Sequence, residues 1–295
     1  MEIKKAGMIA VIGRPNAGKS TLTNALTGER VAIVSSKPQT TRNRICGIIN
    51  RGGTQYVLMD TPGFHKPRTT LGDYMVRVVR ESVSDVDAAL LLVPPIARIG
   101  KAEEALIERI EACKVPAVLI INKIDTIESG DIFPIIECYK NRFNFASVIP
   151  VSAKTGDGVD LILDELEGFI PEGHALFPED MNSDQPEKQM IAEIIREKML
   201  TLLDREVPHG VAVEITKFSE RDSGIIDVDA TIYCERESHK GIIIGKRGSM
   251  LKRIGELARV DIEEFMGTKV FLQTWVKVKE NWRDNNGLLR NFGYE

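Results

Sequence analysis

Near the N-terminus an apolar run, "MIAVIG", passes through "GRPNAGKS" (Gly13 to Ser20) into a helical pattern, "KSTLTNALTG". A G-x-x-x-x-G-K-S loop between a strand and a helix folds its backbone amides around phosphate. Gly13 and Gly18 let those N–H groups close in, and the helix N-terminus adds partial positive charge. Arg14, Pro15, Asn16 and Ala17 form the span between the glycines. Lys19 would neutralise the β/γ oxygens, Ser20 would ligate Mg²⁺, and Thr21 follows on the same helix. A strand–loop–helix of this kind predicts an α/β first domain built on a mostly parallel sheet.

The rest of residues 7–170 agrees. "QYVLMD", "AALLLV", "AVLIIN" and "SVIPVS" are continuous apolar runs separated by amphipathic segments, as in a sheet buried on both faces. "RNRICGII" is a further candidate, at an edge. The phosphate loop does not choose the base. "NKID" does that: Asp125 can accept both N1–H and the exocyclic amine of guanine, where adenine offers an acceptor and a C–H. Asn122 would reach the base edge and the Lys123 stem would cover its face. "SAK" (Ser152, Ala153, Lys154) follows the next strand, where the Ala153 N–H could donate to guanine O6. These motifs fall at the carboxyl ends of strands, where open α/β sheets bind ligands.

Together with "TTR" (40–42) and "DTPG" (60–63), they resemble the G-domain set of the translation-factor-related GTPases. That resemblance implies that Asp60 holds Mg²⁺ through water and that the Gly63 N–H meets the γ-phosphate, with Thr61 and Pro62 lining the same loop. It also implies a threonine from the first switch on Mg²⁺: Thr41, with Thr40 as the fallback. GTP should order 35–44 and 61–70. Phe64 stands where many such enzymes carry a water-orienting glutamine, so slow turnover is expected. Asn16 is the candidate to help hold a K⁺ ion beside the phosphates, as in related GTPases with a loop asparagine. Arg42 and Arg44 are weaker candidates for that charge. The catalytic set is therefore Asn16, Lys19, Thr41 and Gly63.

After "PEGHALFPEDMNSDQP" (171–186), which reads as a linker, the pattern changes. Met190, Ile191, Ile194, Ile195 and Met199 make one helical stripe, and two alternating strands follow. Then "HKGIIIGKRGSMLKRIGELAR" places Gly245, Lys246, Arg247 and Gly248 in a G-x-x-G loop between helices. Such a loop lets a nucleic-acid backbone approach where a Cβ would collide. Between 240 and 259 six Lys/Arg face one acid, Glu256, a local +5 in a chain of net charge −4. Lys240, Ile244, Lys252 and Arg253 join the loop as candidate RNA contacts. The expected second helix, about 249–266, would bury Met250, Ile254, Leu257, Ala258 and Ile262. This block resembles a KH domain in the prokaryotic-type order, an α+β domain over 187–280, leaving 281–295 as a C-terminal tail.

A GTPase domain followed by a KH domain is similar to the Era family of bacterial ribosome-assembly GTPases along essentially the whole chain. "QTTRNRICGI", "DTPGFHKP", "VSAKTGDGVDLI", "IIIGKRGSMLKRIG" and "WVKVKENWR" carry the likeness beside the motifs above. The resemblance implies GTP/GDP and Mg²⁺ as ligands and 16S rRNA near its 3′ end as partner. It further implies a role in 30S subunit maturation and peripheral association with the inner membrane. Arg247 departs from the family's frequent GKGG loop. The expected state is a cytoplasmic monomer. The four cysteines are widely spaced, which points to reduced thiols and away from zinc or disulfides. A P-loop kinase or ATPase is opposed by NKID and SAK. An RNA-binding scaffold with a vestigial nucleotide site is opposed by the intact Lys19, Ser20 and Asp60.

Overall fold

The computed structural model describes residues 2–64, 67 and 69–294. His65, Lys66 and Arg68, which belong to the expected second switch, lie outside the described residues. The chain divides into two compact units, one of Met1–Ala32, Thr41–Pro67 and Gly72–Asp184, the other of Ile33–Thr40, Arg68–Leu71 and Gln185–Glu295.

The first unit runs β1 (Lys5–Gly13), α1 (Lys19–Thr27), β2 (Ile45–Arg51), β3 (Thr54–Asp60), α2 (Thr70–Glu81, entering from the second unit), β4 (Ala88–Val93), α3 (Lys101–Cys113), β5 (Ala117–Asn122), α4 (Ile132–Lys140), β6 (Ser147–Val151) and α5 (Asp160–Leu166). Its sheet has the order β2-β3-β1-β4-β5-β6. Among the described strands of this sheet only the β2–β3 pairing is antiparallel, and the strand order places "RNRICGII" at the edge, as expected. The continuous apolar runs are explained by a side-chain period of two. Ile9, Val11, Leu90, Leu92, Val118 and Ile120 enter one core cluster. Their neighbours Ala10, Ile12, Leu91, Val93, Leu119 and Ile121 enter another on the opposite face.

The segment 171–184 has no regular pattern, yet it is not loose. Ala6 N donates to Pro171 O (3.2 Å), Ile48 N to Asn182 O (2.9 Å) and Cys46 N to Asp184 Oδ1 (2.9 Å). Buried Gln55 accepts from the amides of Leu176 (2.7 Å) and Phe177 (2.9 Å). It is a strap that satisfies the open edge of β2, a place where unpaired backbone groups are a liability.

The second unit comprises α6 (Glu187–Leu202), β7 (Ala212–Glu220), β8 (Ile226–Cys234), α7 (Glu237–Ile244), α8 (Ser249–Met266), β9 (Val270–Val278) and α9 (Asn286–Asn291). β8 is central, antiparallel to β7 and parallel to β9. The α6 stripe is buried as its spacing predicts, and α8 buries Ile254, Ala258 and Ile262. Met250 is only partly buried against that core, and Leu257 is 41% exposed, because the i, i+4 line through 254, 258 and 262 passes it by. The expected tail is also structured. Trp282 is fully buried, donates to Gly210 O (3.0 Å) and packs against Phe292 and Tyr294.

Candidate functional site

The loop after β1 is enclosed by its own surroundings. Gly18 has φ 100°, and a Cβ there would lie 2.2 Å from Asn122 Nδ2. A Cβ on Gly13 would lie 2.5 Å from Leu92 O, and one on Gly63 2.7 Å from Pro15 Cα. These three positions admit only glycine without rearrangement. Lys19 is buried, with Nζ 3.3 Å from Gly13 O and 3.4 Å from Arg14 O. Burial lowers its pKa and Asp60 raises it. Arg14 Nε stands 3.6 Å from the buried Glu103 carboxylate on α3. Asn16 is exposed, in the left-handed region at φ 62°. Thr21 is half-buried on α1.

The base-reading motifs converge on the same loop. Asn122 Nδ2 donates to Ala17 O (2.9 Å) and Lys123 Nζ to Asn16 O (2.7 Å). Asn122 Oδ1 accepts from the amides of Lys123 (2.8 Å) and Ala153 (3.0 Å). The Ala153 N–H, expected to face guanine O6, is thus engaged by Asn122 in this structure. Ser152 Oγ donates to Asp125 Oδ1 (2.7 Å), orienting an exposed carboxylate. Lys154 is exposed beside it.

Three oxygen-bearing side chains meet at the start of α1. Ser20 Oγ donates to Asp60 Oδ2 (2.6 Å), and Thr41 Oγ1 is 2.8 Å from Ser20 Oγ and 3.5 Å from Asp60 Oδ2. Asp60 Oδ1 is buried without a hydrogen-bond partner. Burial pushes Asp60 up to about 6, against the opposing pull of Lys19, Ser20, Thr41 and the Thr61 amide. A desolvated carboxylate with an unpaired oxygen beside two hydroxyls suits a hard divalent cation such as Mg²⁺. Thr40 points elsewhere, its Oγ1 donating to Lys37 O (2.7 Å). Thr61 Oγ1 donates to Val11 O (2.8 Å), which ties the loop to β1, and Pro62 and Gly63 are buried. Phe64 N donates to Gly13 O (3.2 Å), while its ring packs on the cluster of Ile12 and Leu91. Arg42 is also buried, 2% exposed.

In the second unit the G-x-x-G loop joins α7 to α8. Gly245 (φ 71°), Arg247 (φ 50°) and Gly248 (φ 80°) all have positive φ. A Cβ on Gly245 would lie 2.7 Å from Met250 Cβ; one on Gly248 would meet nothing within 4 Å. Lys246, Arg247, Lys252 and Arg253 are exposed, Lys240 and Ile244 partly so. A groove of about 420 Å³ runs from Gly248, Leu251 and Lys252 past Gly255 and Arg259 to Leu272 and Thr274. The sequence reading missed Leu272 and Thr274, which carry no motif and reach the groove only through β9.

Residues 8–123 match the family described as a 50S ribosome-binding GTPase, and residues 206–283 match the KH domain. GTPase Era of Ruminiclostridium cellulolyticum is 52% identical over 99% of this chain and 98% of its own. The chain belongs to the Era family of GTPases. Era of Caldanaerobacter subterraneus subsp. tengcongensis is 49% identical over 98% of both chains. A crystal structure of Era with MgGDPNP and nucleotides 1506–1542 of 16S ribosomal RNA superimposes with a TM-score of 0.94 at 37% identity, covering 99% of each chain. A tyrosine-to-alanine variant of Aquifex aeolicus Era bound to GDP·AlF4⁻ gives 0.94 at 36% identity, over 98% of this chain and 99% of that one. The Era-type pairing of a P-loop GTPase domain with a KH domain is therefore the fold, and the chain is a GTPase.

Proposed function

We propose that this GTPase binds 16S rRNA near its 3′ end through the G-x-x-G groove and acts in 30S subunit maturation as a nucleotide-controlled switch. The supporting observation is the end-to-end match to an Era structure that holds both MgGDPNP and that RNA segment. The proposed divisions are a G domain over 1–170, a linker over 171–186 and a KH domain over 187–280. In this reading the amides of the Gly13–Ser20 loop and the Lys19 ammonium receive the β- and γ-phosphates. Asp125 selects guanine, with Asn122, Lys123 and the Ser152–Lys154 turn around the base. Ser20, Thr41 and Asp60 would hold Mg²⁺, which when bound neutralises charge on the β- and γ-oxygens.

Gly63 N–H meets the γ-phosphate. Phe64 presents no hydrogen-bonding side chain, so the attacking water is oriented without it and intrinsic turnover is slow. Asn16, exposed at the loop crest, would supply an oxygen to help hold a K⁺ ion beside the phosphates. Turnover should be faster in KCl than in NaCl, and Asn16→Ala should lose that difference while still binding GDP. Equal rates in the two salts would remove the ion.

Lys240, Lys246, Arg247, Lys252 and Arg253 face phosphates, and the groove between α8 and β9 receives bases. Among the described residues no helix is long and apolar enough to cross a membrane. A cytoplasmic monomer with peripheral inner-membrane association fits the family resemblance. The test is binding of 3′-terminal 16S fragments with GDP or a non-hydrolysable GTP analogue at fixed salt. Tighter binding in one nucleotide state supports a switch; equal affinity reduces the pairing to a tether.

A further inference from the structure

Helix α6 carries a buried charge that neither ligand site uses. Arg196 is 1% exposed. Glu193 holds its guanidinium at Nε (2.8 Å) and Nη2 (2.5 Å). Its other hydrogen bonds go to backbone: Nη1 is 3.3 Å from Gln39 O, and Nη2 also donates to Thr40 O. A buried guanidinium needs such partners, because burying a charge without them is strongly destabilising.

The same segment is tied to α6 and its C-terminal end at two further points. Val34 N donates to Glu197 Oε1 (2.9 Å), and Lys37 Nζ donates to Leu203 O and lies 3.3 Å from Asp204 Oδ1. Gln39 is left-handed at φ 61°. Residues 33–40 accordingly group with the second unit, whereas Thr41, the next residue, groups with the first.

We propose that Arg196 is a positioning residue for GTP hydrolysis, fixing the carbonyls of Gln39 and Thr40 so that Thr41 presents its hydroxyl to the metal site. The inference rests on the reading of Thr41 as a Mg²⁺ ligand. The physical link is short. The peptide joining Thr40 to Thr41 is planar, so anchoring the Thr40 oxygen orients the plane that carries the Thr41 Cα. In GTPases the first switch is ordered by γ-phosphate–Mg²⁺ contacts and released on hydrolysis. A grip by α6 on residues 39 and 40 therefore favours the GTP state over the GDP state, and GTP in return strengthens that grip.

The experiment measures the affinities of fluorescent GDP and of a fluorescent non-hydrolysable GTP analogue for the full chain, with the Mg²⁺ concentration for half-maximal turnover. The variants are Arg196→Gln, Arg196→Lys, Glu193→Gln, Lys37→Met and Thr41→Ala. Arg196→Gln should weaken the analogue by about tenfold and raise the Mg²⁺ requirement, while GDP affinity stays within about twofold. Arg196→Lys should recover part of the loss. A purely structural role would lower both affinities together. Should Arg196→Gln not fold, Glu193→Gln and Lys37→Met, both at partly exposed side chains, carry the same comparison. Thr41→Ala showing the selective loss while every folded Arg196, Glu193 and Lys37 variant lacks it would overturn the proposal and leave the metal reading intact. Thr41→Ala with unchanged analogue affinity and Mg²⁺ requirement would refute the Thr41 reading, and the proposal with it.

Discussion

Gly18 and Gly248 each stand immediately before a helix in the left-handed region, at φ 100° and 80°. A Cβ on the first would lie 2.2 Å from Asn122 Nδ2; a Cβ on the second would meet nothing within 4 Å. The cations differ in the same way. Lys19 is buried under two loop carbonyls, whereas Lys246 and Arg247 are exposed. A loop that encloses a small ligand of fixed shape can be pre-organised by its own protein, and its charge acts in a low-dielectric setting. A loop that meets a polymer must stay open, and its charges act through water and salt. The contrast explains why one glycine is defined by what already touches it and the other by what has yet to arrive.

The largest effect that could break this contrast is at Gly18. Gly18→Ala should weaken GTP and GDP binding by about 3–4 kcal/mol, several hundred-fold, because it adds backbone strain and displaces Asn122. Titration with a fluorescent guanine nucleotide checks it, and near-normal affinity would mean that the enclosure is not what shapes the loop.

Asp125→Asn comes next. It should cost about a hundredfold in GTP affinity and gain for xanthosine triphosphate, whose extra carbonyl an amide can meet. No gain for xanthosine triphosphate would show that the pre-organised site reads the base elsewhere.

Gly248→Asp should leave nucleotide affinity nearly unchanged and cost about 1 kcal/mol of stability, because an L-residue is strained at φ 80°. It should lower RNA affinity by about tenfold or more, since the incoming phosphate would meet the new carboxylate. Removing Lys246 and Arg247 together should reduce the salt dependence of RNA binding by up to about two units of slope. Unchanged RNA binding in both variants would move the RNA site off this loop.

The smallest effect is at Arg247, an L-residue held at φ 50°. Arg247→Gly should stabilise the fold by about 0.5–1 kcal/mol in urea denaturation by relieving strain, yet reduce the salt slope by about one unit. Loss of stability instead would mean that its side chain contributes contacts worth more than the strain.

Legibility differed between the sites for a physical reason. Gly13–Ser20, Asp60–Gly63, Asn122–Asp125 and Ser152–Lys154 are short contiguous motifs at strand ends, and the sheet brings them together as their order in the chain predicts. The second loop was equally visible, but its groove was not. Leu272 and Thr274 come from β9, whose parallel pairing with β8 leaves no local signature. Residues 171–186 and 281–295 read as linker and tail because they lack periodicity. Their order comes from single contacts, such as Gln55 with the Leu176 and Phe177 amides and Trp282 Nε1 with Gly210 O.

The sequence by itself determined two folding units, a phosphate loop with guanine-reading and metal-binding motifs, and a basic G-x-x-G loop. Each depends on residue types at fixed short spacings, and local backbone geometry converts spacing into shape. Only the tertiary structure decided that Thr41 rather than Thr40 stands beside Ser20 and Asp60, that Phe64 packs against the core from its surface, and that residues 33–40 are held by α6. Those outcomes depend on residues distant in the chain, by 19 and 21 positions for Thr41 with Asp60 and Ser20 and by 156 for Arg196 with Thr40. Contacts closed across such loops arise from packing and hydrogen-bond satisfaction in the folded chain, which no local spacing encodes.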